Sequence, residues 1–164
     1  MIYVLFGPPG VGKTFLGTYL QKEKGIFFYD ADDEILEEEK RAIQDRKYDQ
    51  KMRDNFVKRL SRKVNKFHDK HKNIVLAEAF TKETNRIFFF ELFKPQIKFI
   101  RVMCPYLIAR KRVIERINKE EHVIDLKSFE HFWNNFEEPR VEHALLDNTN
   151  GIGLESVCKK IVSQ

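Results

Sequence analysis

Gly7-Pro8-Pro9-Gly10-Val11-Gly12-Lys13-Thr14 follows directly on the apolar run Ile2 to Phe6 and leads into Phe15, Leu16, Tyr19 and Leu20 at helical spacing. The octet satisfies G-x-x-x-x-G-K-[ST] in the strand-then-helix setting that this motif requires. Glycines let the chain turn tightly and aim successive N–H groups inward, and the positive end of the following helix adds its field, so the segment is built to hold phosphates. Gly7, Pro8, Pro9, Gly10, Val11, Gly12, Lys13 and Thr14 are therefore candidates for binding a nucleoside triphosphate. Lys13 is expected to reach the β and γ phosphates, and the Thr14 hydroxyl to meet a Mg ion bridging them.

Short apolar runs recur at Ile26 to Tyr29, Ile74 to Phe80, Phe99 to Met103 and Ala144 to Leu146, with longer segments of helical spacing between them. Runs without polar alternation mark strands buried on both faces, so the pattern predicts a parallel sheet covered by helices on both sides. Helical faces are legible at Phe56, Val57, Leu60, Val64 and Phe67, at Phe129, Phe132, Trp133 and Phe136, and at Leu154, Val157, Cys158, Ile161 and Val162. These stripes are expected to be core. Repeats, linkers and low-complexity tracts are absent from the 164 residues, 42% of them hydrophobic and 15 of them Phe, so residues 1–164 read as one α/β domain. Apolar runs fall far short of the roughly 20 residues of a membrane span, and Met1 leads straight into a strand pattern. Cys104 and Cys158 have neither CxxC spacing nor clustered His, which argues against a zinc site or a disulfide framework. The expectation is a cytoplasmic protein with reduced, buried thiols, a monomer or homodimer with no membrane partner.

Charge is placed unevenly. Lys40 to Lys72 holds 13 Lys and Arg against 4 Asp and Glu, a local +9 in a chain whose formal charge is +5. Just before it, Asp30, Asp32, Asp33, Glu34, Glu37, Glu38 and Glu39 form an acidic cluster with no basic residue among them. One reading is a solvated helical surface laced with salt bridges; the other is a cradle for a metal on the acidic side and an anion on the basic side.

Among nucleotide-binding classes, a GTPase should carry N-K-x-D, whereas the closest string is Asn118-Lys119-Glu120-Glu121. An AAA-type or transport ATPase should end a strand in Asp-Glu, but the third run ends in Ala77-Glu78-Ala79. A small kinase remains. The chain indeed resembles the small P-loop kinases of the gluconate kinase and shikimate kinase type over nearly its whole length. Beyond the phosphate loop, Phe28-Tyr29-Asp30-Ala31-Asp32-Asp33 is similar to the D-G-D-D segment of gluconate kinases, Arg112-Val113-Ile114-Glu115-Arg116 to their R-L-x-x-R at the start of the lid, and His122 to Phe136-Glu137-Glu138-Pro139 to their H-F … L-E-E-P stretch. The resemblance implies a three-layer α/β/α P-loop NTPase fold with a five-stranded parallel sheet in the order 2-3-1-4-5, use of ATP with Mg, and a lid around residues 110–125. It also implies that the loop from Thr149 to Gly153 lies near the adenine, and that Arg112 and Arg116 stack on the adenine and touch the triphosphate. Two departures stop it short of a substrate. Glu34 to Arg41 replaces the H-P-x-x-N-x-x-K-M pattern of gluconate kinases, and Ala77-Glu78-Ala79-Phe80 replaces the G-G-G turn of shikimate kinases.

Asp30 falls at the C-terminal end of a predicted parallel strand, where ligands bind in open α/β sheets. It or Asp32 is expected to accept the proton of a substrate hydroxyl or to orient water on Mg, so with Lys13, Arg112 and Arg116 they are the catalytic candidates, and with Thr14 the metal-facing ones. The competing reading is that the two aspartates cap the acidic helix after them. Arg46, Arg53 and Arg86 are candidates for the acceptor side, His122 is a lid position, and Trp133 is expected in the core. The leading function is ATP-dependent transfer of a phosphoryl group to a hydroxyl of a small metabolite, a sugar acid among the options. The alternatives are a polynucleotide or nucleoside kinase, for which the basic segment would meet phosphates, and a non-catalytic nucleotide-binding protein.

Overall fold

The computed structural model describes residues 1–119 and 124–150. Strand β1 (Ile2–Phe6) is buried at every position, and its alternation divides the core. Ile2, Val4 and Phe6 point to one side, where α3 (Gln50–His68) and α4 (Glu83–Phe93) pack through Phe56, Val57, Leu60, Val64, Phe89 and Phe93. Tyr3 and Leu5 point to the other, onto Leu16 and Leu20 of α1 (Lys13–Lys24). Helices on both faces leave β1 no contact with water, which is why its sequence shows no polar alternation.

The five strands are parallel in the order β2-β3-β1-β4-β5, with β2 at Phe27–Asp30, β3 at Ile74–Glu78, β4 at Ile97–Met103 and β5 at His143–Asp147. This is the expected fold class and strand order. Strand ends differ by at most two residues from the apolar runs. β2 extends through Asp30 and β5 through Asp147, because ladder pairing continues past the hydrophobic residues. β3 stops at Glu78, short of Phe80, whose backbone turns to a positive φ of 44° and donates its N–H back to Glu78 Oε1 at 3.1 Å. Register aligns Phe6 with Glu78, and Asp30 with Ala77. The ends of β1, β2 and β3 therefore open on one edge.

A 3-10 turn (Ala31–Glu34) and α2 (Glu37–Gln44) follow β2, and α5 (Tyr106–Asn118) and α6 (Leu126–Asn134) lie between β4 and β5. Aspartates start three of these elements: Asp30 accepts from Asp32 N, Asp49 from Met52 N and Asp125 from Ser128 N, satisfying donors that a helix start leaves open. Trp133 packs on Tyr106 and Phe129, as a core residue should. Phe136 does not belong to that helical stripe, since α6 has ended; its ring stacks on Phe6 instead. Cys104 is half-buried rather than buried, and Cys158 with the stripe from Leu154 to Val162 lies outside the described residues. No helix among the described residues is long and apolar enough to cross a membrane.

Arg86, a candidate for the acceptor side, is instead a structural hub. It is 0% exposed, and its guanidinium donates to Glu83 Oε2 (2.6 Å), the Phe80 carbonyl (2.6 Å) and the Glu137 carbonyl (2.7 Å). Glu83 in turn accepts from the N–H groups of Arg140 and Val141, so one buried ion pair ties the β3 exit, α4 and the approach to β5 together. Removing one partner of such a pair strands the other without compensation. Arg86→Met is expected to cost about 3–5 kcal/mol in urea unfolding, measured against a wild-type curve of unchanged slope.

Candidate active site

The phosphate loop joins β1 to α1 through three glycines at positive φ: Gly7 (145°), Gly10 (80°) and Gly12 (97°). All three are also points of close approach. A Cβ on Gly7 would lie 2.4 Å from the Val102 carbonyl oxygen, one on Gly10 2.6 Å from the Ala109 carbonyl oxygen, and one on Gly12 2.2 Å from Asn148 Nδ2. The first turn of α1 holds no acidic residue and no side-chain cap, so its N–H groups stay available to an anion.

Lys13 folds back over the loop and donates to the carbonyls of Gly7 (2.9 Å) and Pro8 (3.1 Å). Burial lowers its pKa, an effect opposed by Asp32, Glu78 and Asp30. The Thr14 hydroxyl donates to Asp30 Oδ2 at 2.7 Å, while Asp30 Oδ1 accepts from Asp32 N at 3.1 Å. Asp30 thus caps the turn, as the competing reading expected, and also meets the phosphate loop through Thr14. No group of three or more His, Cys, Asp or Glu side chains among the described residues forms a metal cage. Mg does not need one. It takes hard oxygen donors in small number, the remainder coming from phosphates and water, and the Thr14 hydroxyl and Asp30 carboxylate already stand together as such donors.

Asp32 lines the same cleft, open to solvent at its mouth but ringed by protein. That crowding, with Asp30 beside it and against the pull of Lys13, raises its pKa to about 6. Glu78 lies deeper. Burial, then the charge of Asp32, pushes it up to about 7, although the Phe80 N–H, Lys13 and Arg53 all favour its ionised form. Arg116 also lines the cleft, on the side of Lys13 and Asp32.

Away from the loop the cleft continues to Tyr48 and Arg53. Arg53 Nη1 donates to the buried Thr81 hydroxyl (2.9 Å), and the guanidinium lies over the Tyr48 ring, 5.0 Å from its centre. Arg53 is the acceptor-side arginine that reaches the cleft. Arg46 is exposed at a positive φ of 58° after α2, and Arg86 is in the hub described above; neither lines it.

Arg112 also stands apart from Lys13. Its guanidinium donates to the carbonyls of Asn148 (2.9 Å), Thr149 (3.3 Å) and Val11 (3.4 Å), on the outer side of the phosphate loop where β5 ends. Arg112 does not line the cleft that Lys13 and Arg116 line, and these three carbonyls hold its guanidinium. Asn148, 2% exposed, supports the same loop by donating to the Val11 carbonyl at 2.8 Å. Arg110 pairs across to Glu130 on α6. His122 and the lid positions 120–123 lie outside the described residues. The acidic cluster and the basic helix meet mainly as the salt-bridged surface, through Lys40–Glu37, Arg59–Glu39 and Lys63–Glu34. The cradle reading keeps only Asp30, Asp32 and Arg53.

Glu78, Tyr48 and Asn148 are the residues that sequence reasoning missed as parts of the site. Glu78 had a signal: like Asp30, it ends an apolar run that becomes a parallel strand. Tyr48 and Asn148 had none, since each reaches the site from a loop.

A family model described as AAA domain matches residues 2–139. The name stands although Ala77-Glu78-Ala79 lacks the Asp-Glu pair sought in AAA-type ATPases. No curated protein sequence matches the chain. Among solved structures, it is similar to a sugar kinase from Janibacter sp. (TM-score 0.80, 19% identity, 99% of this chain and 94% of that one). It is also similar to a gluconokinase from Sinorhizobium meliloti (TM-score 0.74, 16% identity, 99% and 95%) and to a shikimate kinase from Acinetobacter baumannii in complex with shikimate (TM-score 0.61, 19% identity, 99% and 92%). At such identities the likeness is one of fold.

A carboxyl group whose folded pKa is near 7 and whose ordinary value is 4.5 keeps its proton in the folded state where the unfolded chain has lost it. Stability then falls as pH rises from about 4.5 to 7, and stays at the lower level above. Glu78→Gln removes this penalty. The variant is expected to melt above wild type at pH 8, with the gap narrowing toward pH 5 in paired thermal unfolding experiments.

Proposed function

The chain belongs to the AAA domain family, and from that premise and the geometry of its cleft we propose that it is an ATP-dependent small-molecule kinase, transferring the γ-phosphoryl group to a hydroxyl of a metabolite. The observation that carries this reading is the Thr14–Asp30 hydrogen bond beside Lys13, with a second carboxylate, Asp32, in the same cleft. One carboxylate is committed to the phosphate loop and the other is free for an acceptor. A protein that only binds nucleotide has no use for the second.

In this reading the glycine-rich loop and the start of α1 hold the β and γ phosphates through backbone N–H groups, and Lys13 leaves the Gly7 and Pro8 carbonyls to meet their oxygens. Thr14 and Asp30 would hold Mg, whose charge offsets that of the phosphates during transfer. Arg112, bound to loop carbonyls at the outer side of the phosphate loop, presents its guanidinium toward the adenine side. Arg116, on the last turn of α5, supplies positive charge over the γ-phosphate as the 110–125 segment closes.

Asp32 takes the role of base, because Asp30 is occupied by Thr14 and by the turn it caps. The acceptor oxygen attacks the γ-phosphorus and its proton passes to Asp32. The new O–P bond forms as the bond from that phosphorus to the bridging β–γ oxygen breaks, and ADP leaves.

ADP release from MgATP in the presence of acceptor tests the proposal. Asp32→Asn is expected to lower kcat by about 10²–10⁴ while the KM for ATP changes little. Lys13→Ala is expected to lower kcat by at least about 10² and to weaken ATP binding as well. Unchanged turnover in Asp32→Asn would remove Asp32 from the chemistry.

A further inference from the structure

The acceptor half of the cleft has a composition unlike its phosphate half. Its walls are Ile35, Ile43, Tyr48, Phe56, Ile124 and Phe132, and its polar groups beyond Asp32 reduce to Glu78, Arg53 and the buried Thr81. Glu78 lines one cleft with Lys13, Tyr48 and Arg53, and its charge acts on the Tyr48 hydroxyl. Arg53 spends Nη1 on Thr81, and its buried Nε has no partner among the described residues. The guanidinium thus retains donor capacity next to an acceptor, Glu78.

A sugar acid fits this surface poorly. Its carboxylate would face Asp32 and Glu78, which Arg53 and Arg116 offset only in part, and its row of hydroxyls would be pressed against isoleucine and phenylalanine without partners. A flat ring fits it well. Aromatic and branched side chains cover the faces of a ring, while an adjacent donor and acceptor read an edge on which an amino group sits beside a ring nitrogen or carbonyl. We infer that the acceptor is an uncharged nucleoside whose base carries an exocyclic amino group, with Glu78 accepting from that amino group, Arg53 donating to the neighbouring ring acceptor, and the sugar hydroxyl presented to Asp32. The inference rests on the kinase reading, with the same transfer: the sugar oxygen gains the phosphoryl group, Asp32 takes the proton and ADP departs. Glu78 is here a specificity-determining residue.

The test is ADP release by the full chain with MgATP and, separately, adenosine, cytidine, their 2′-deoxy forms, uridine, D-gluconate and shikimate, with MgATP binding measured independently by calorimetry. An amino-bearing nucleoside is expected to give a kcat/KM at least tenfold above those of gluconate and shikimate. Glu78→Ala is expected to raise KM for that nucleoside tenfold or more, and by a larger factor than it lowers kcat. Glu78→Gln, which keeps a carbonyl acceptor, is expected to recover part of the loss. Phe132→Ala, on the opposite wall, is expected to raise the same KM, so the proposal does not hang on one variant, and thermal melts confirm that each is folded. Preference for gluconate or shikimate would overturn the assignment. So would binding of MgATP with no turnover of any nucleoside, or a fall in kcat without a rise in KM in Glu78→Ala; both leave the kinase reading standing. Failure to bind MgATP would remove the kinase reading, and this inference with it.

Discussion

The Lys13 ammonium is surrounded by like-charged groups of the opposite sign: Asp30, Asp32 and Glu78 all act on it across the carboxyl edge of the sheet. Burial raises the pKa of Asp32 and of Glu78, the charge of Asp30 adding to the first and that of Asp32 to the second. The lysine opposes both shifts while resting on the Gly7 and Pro8 carbonyls, a place from which it can swing to phosphate oxygens. These charged groups are thus held in place by the fold itself, before any ligand arrives.

Parallel pairing produces the crowding. Once β2, β3 and β1 are in register, Asp30, Glu78 and the start of the phosphate loop lie at one level of the sheet whatever the intervening helices do. The stability that permits this comes from elsewhere. β1 and the faces of α1, α3 and α4 are packed without water, and Arg86 closes the far side with an ion pair whose donors all find partners outside the cleft. The protein holds two kinds of crowded charge. Arg86 with Glu83 is buried and paired within the fold, whereas Asp32 and Glu78 line the cleft, where desolvation and neighbouring carboxylates raise their pKa values.

This division explains what the sequence disclosed. The strand order came only with the resemblance to small P-loop kinases, whereas the parallel sheet and its covering helices followed from apolar runs lacking alternation, because burial on both faces leaves its mark on every residue of a strand. Asp30 was legible for the same reason, as the polar residue that ends such a run. Glu78 ends one too, but it was weighed only against an Asp-Glu pattern it lacks, and its place beside Phe6 depends on register, which apolar runs do not encode. Arg53 and Arg86 look alike in the chain. Each is an arginine near the start of a helix, and only packing decides that one lines the cleft and the other locks β3 to α4. Arg112 shows the same limit: its spacing from Arg116 places both on α5, yet across the three residues between them Arg116 lines the cleft and Arg112 binds the carbonyls of Val11, Asn148 and Thr149.

The loop itself is braced from that outer side. Asn148 and Arg112 both donate to the Val11 carbonyl, and Arg112 also binds the carbonyls that follow β5. An unbraced glycine-rich turn would have many conformations to lose on meeting phosphate, since glycine restricts the backbone least. Here the positive φ angles of Gly10 and Gly12 are enforced by neighbours so near that a Cβ could not be accommodated. Order is built into the loop during folding rather than during binding, so more of the free energy of each N–H contact to phosphate is available as affinity. The glycines that announce the site in the sequence are thus needed twice over, once for their dihedral angles and once for the close approach of α5 and the end of β5 that holds those angles in place.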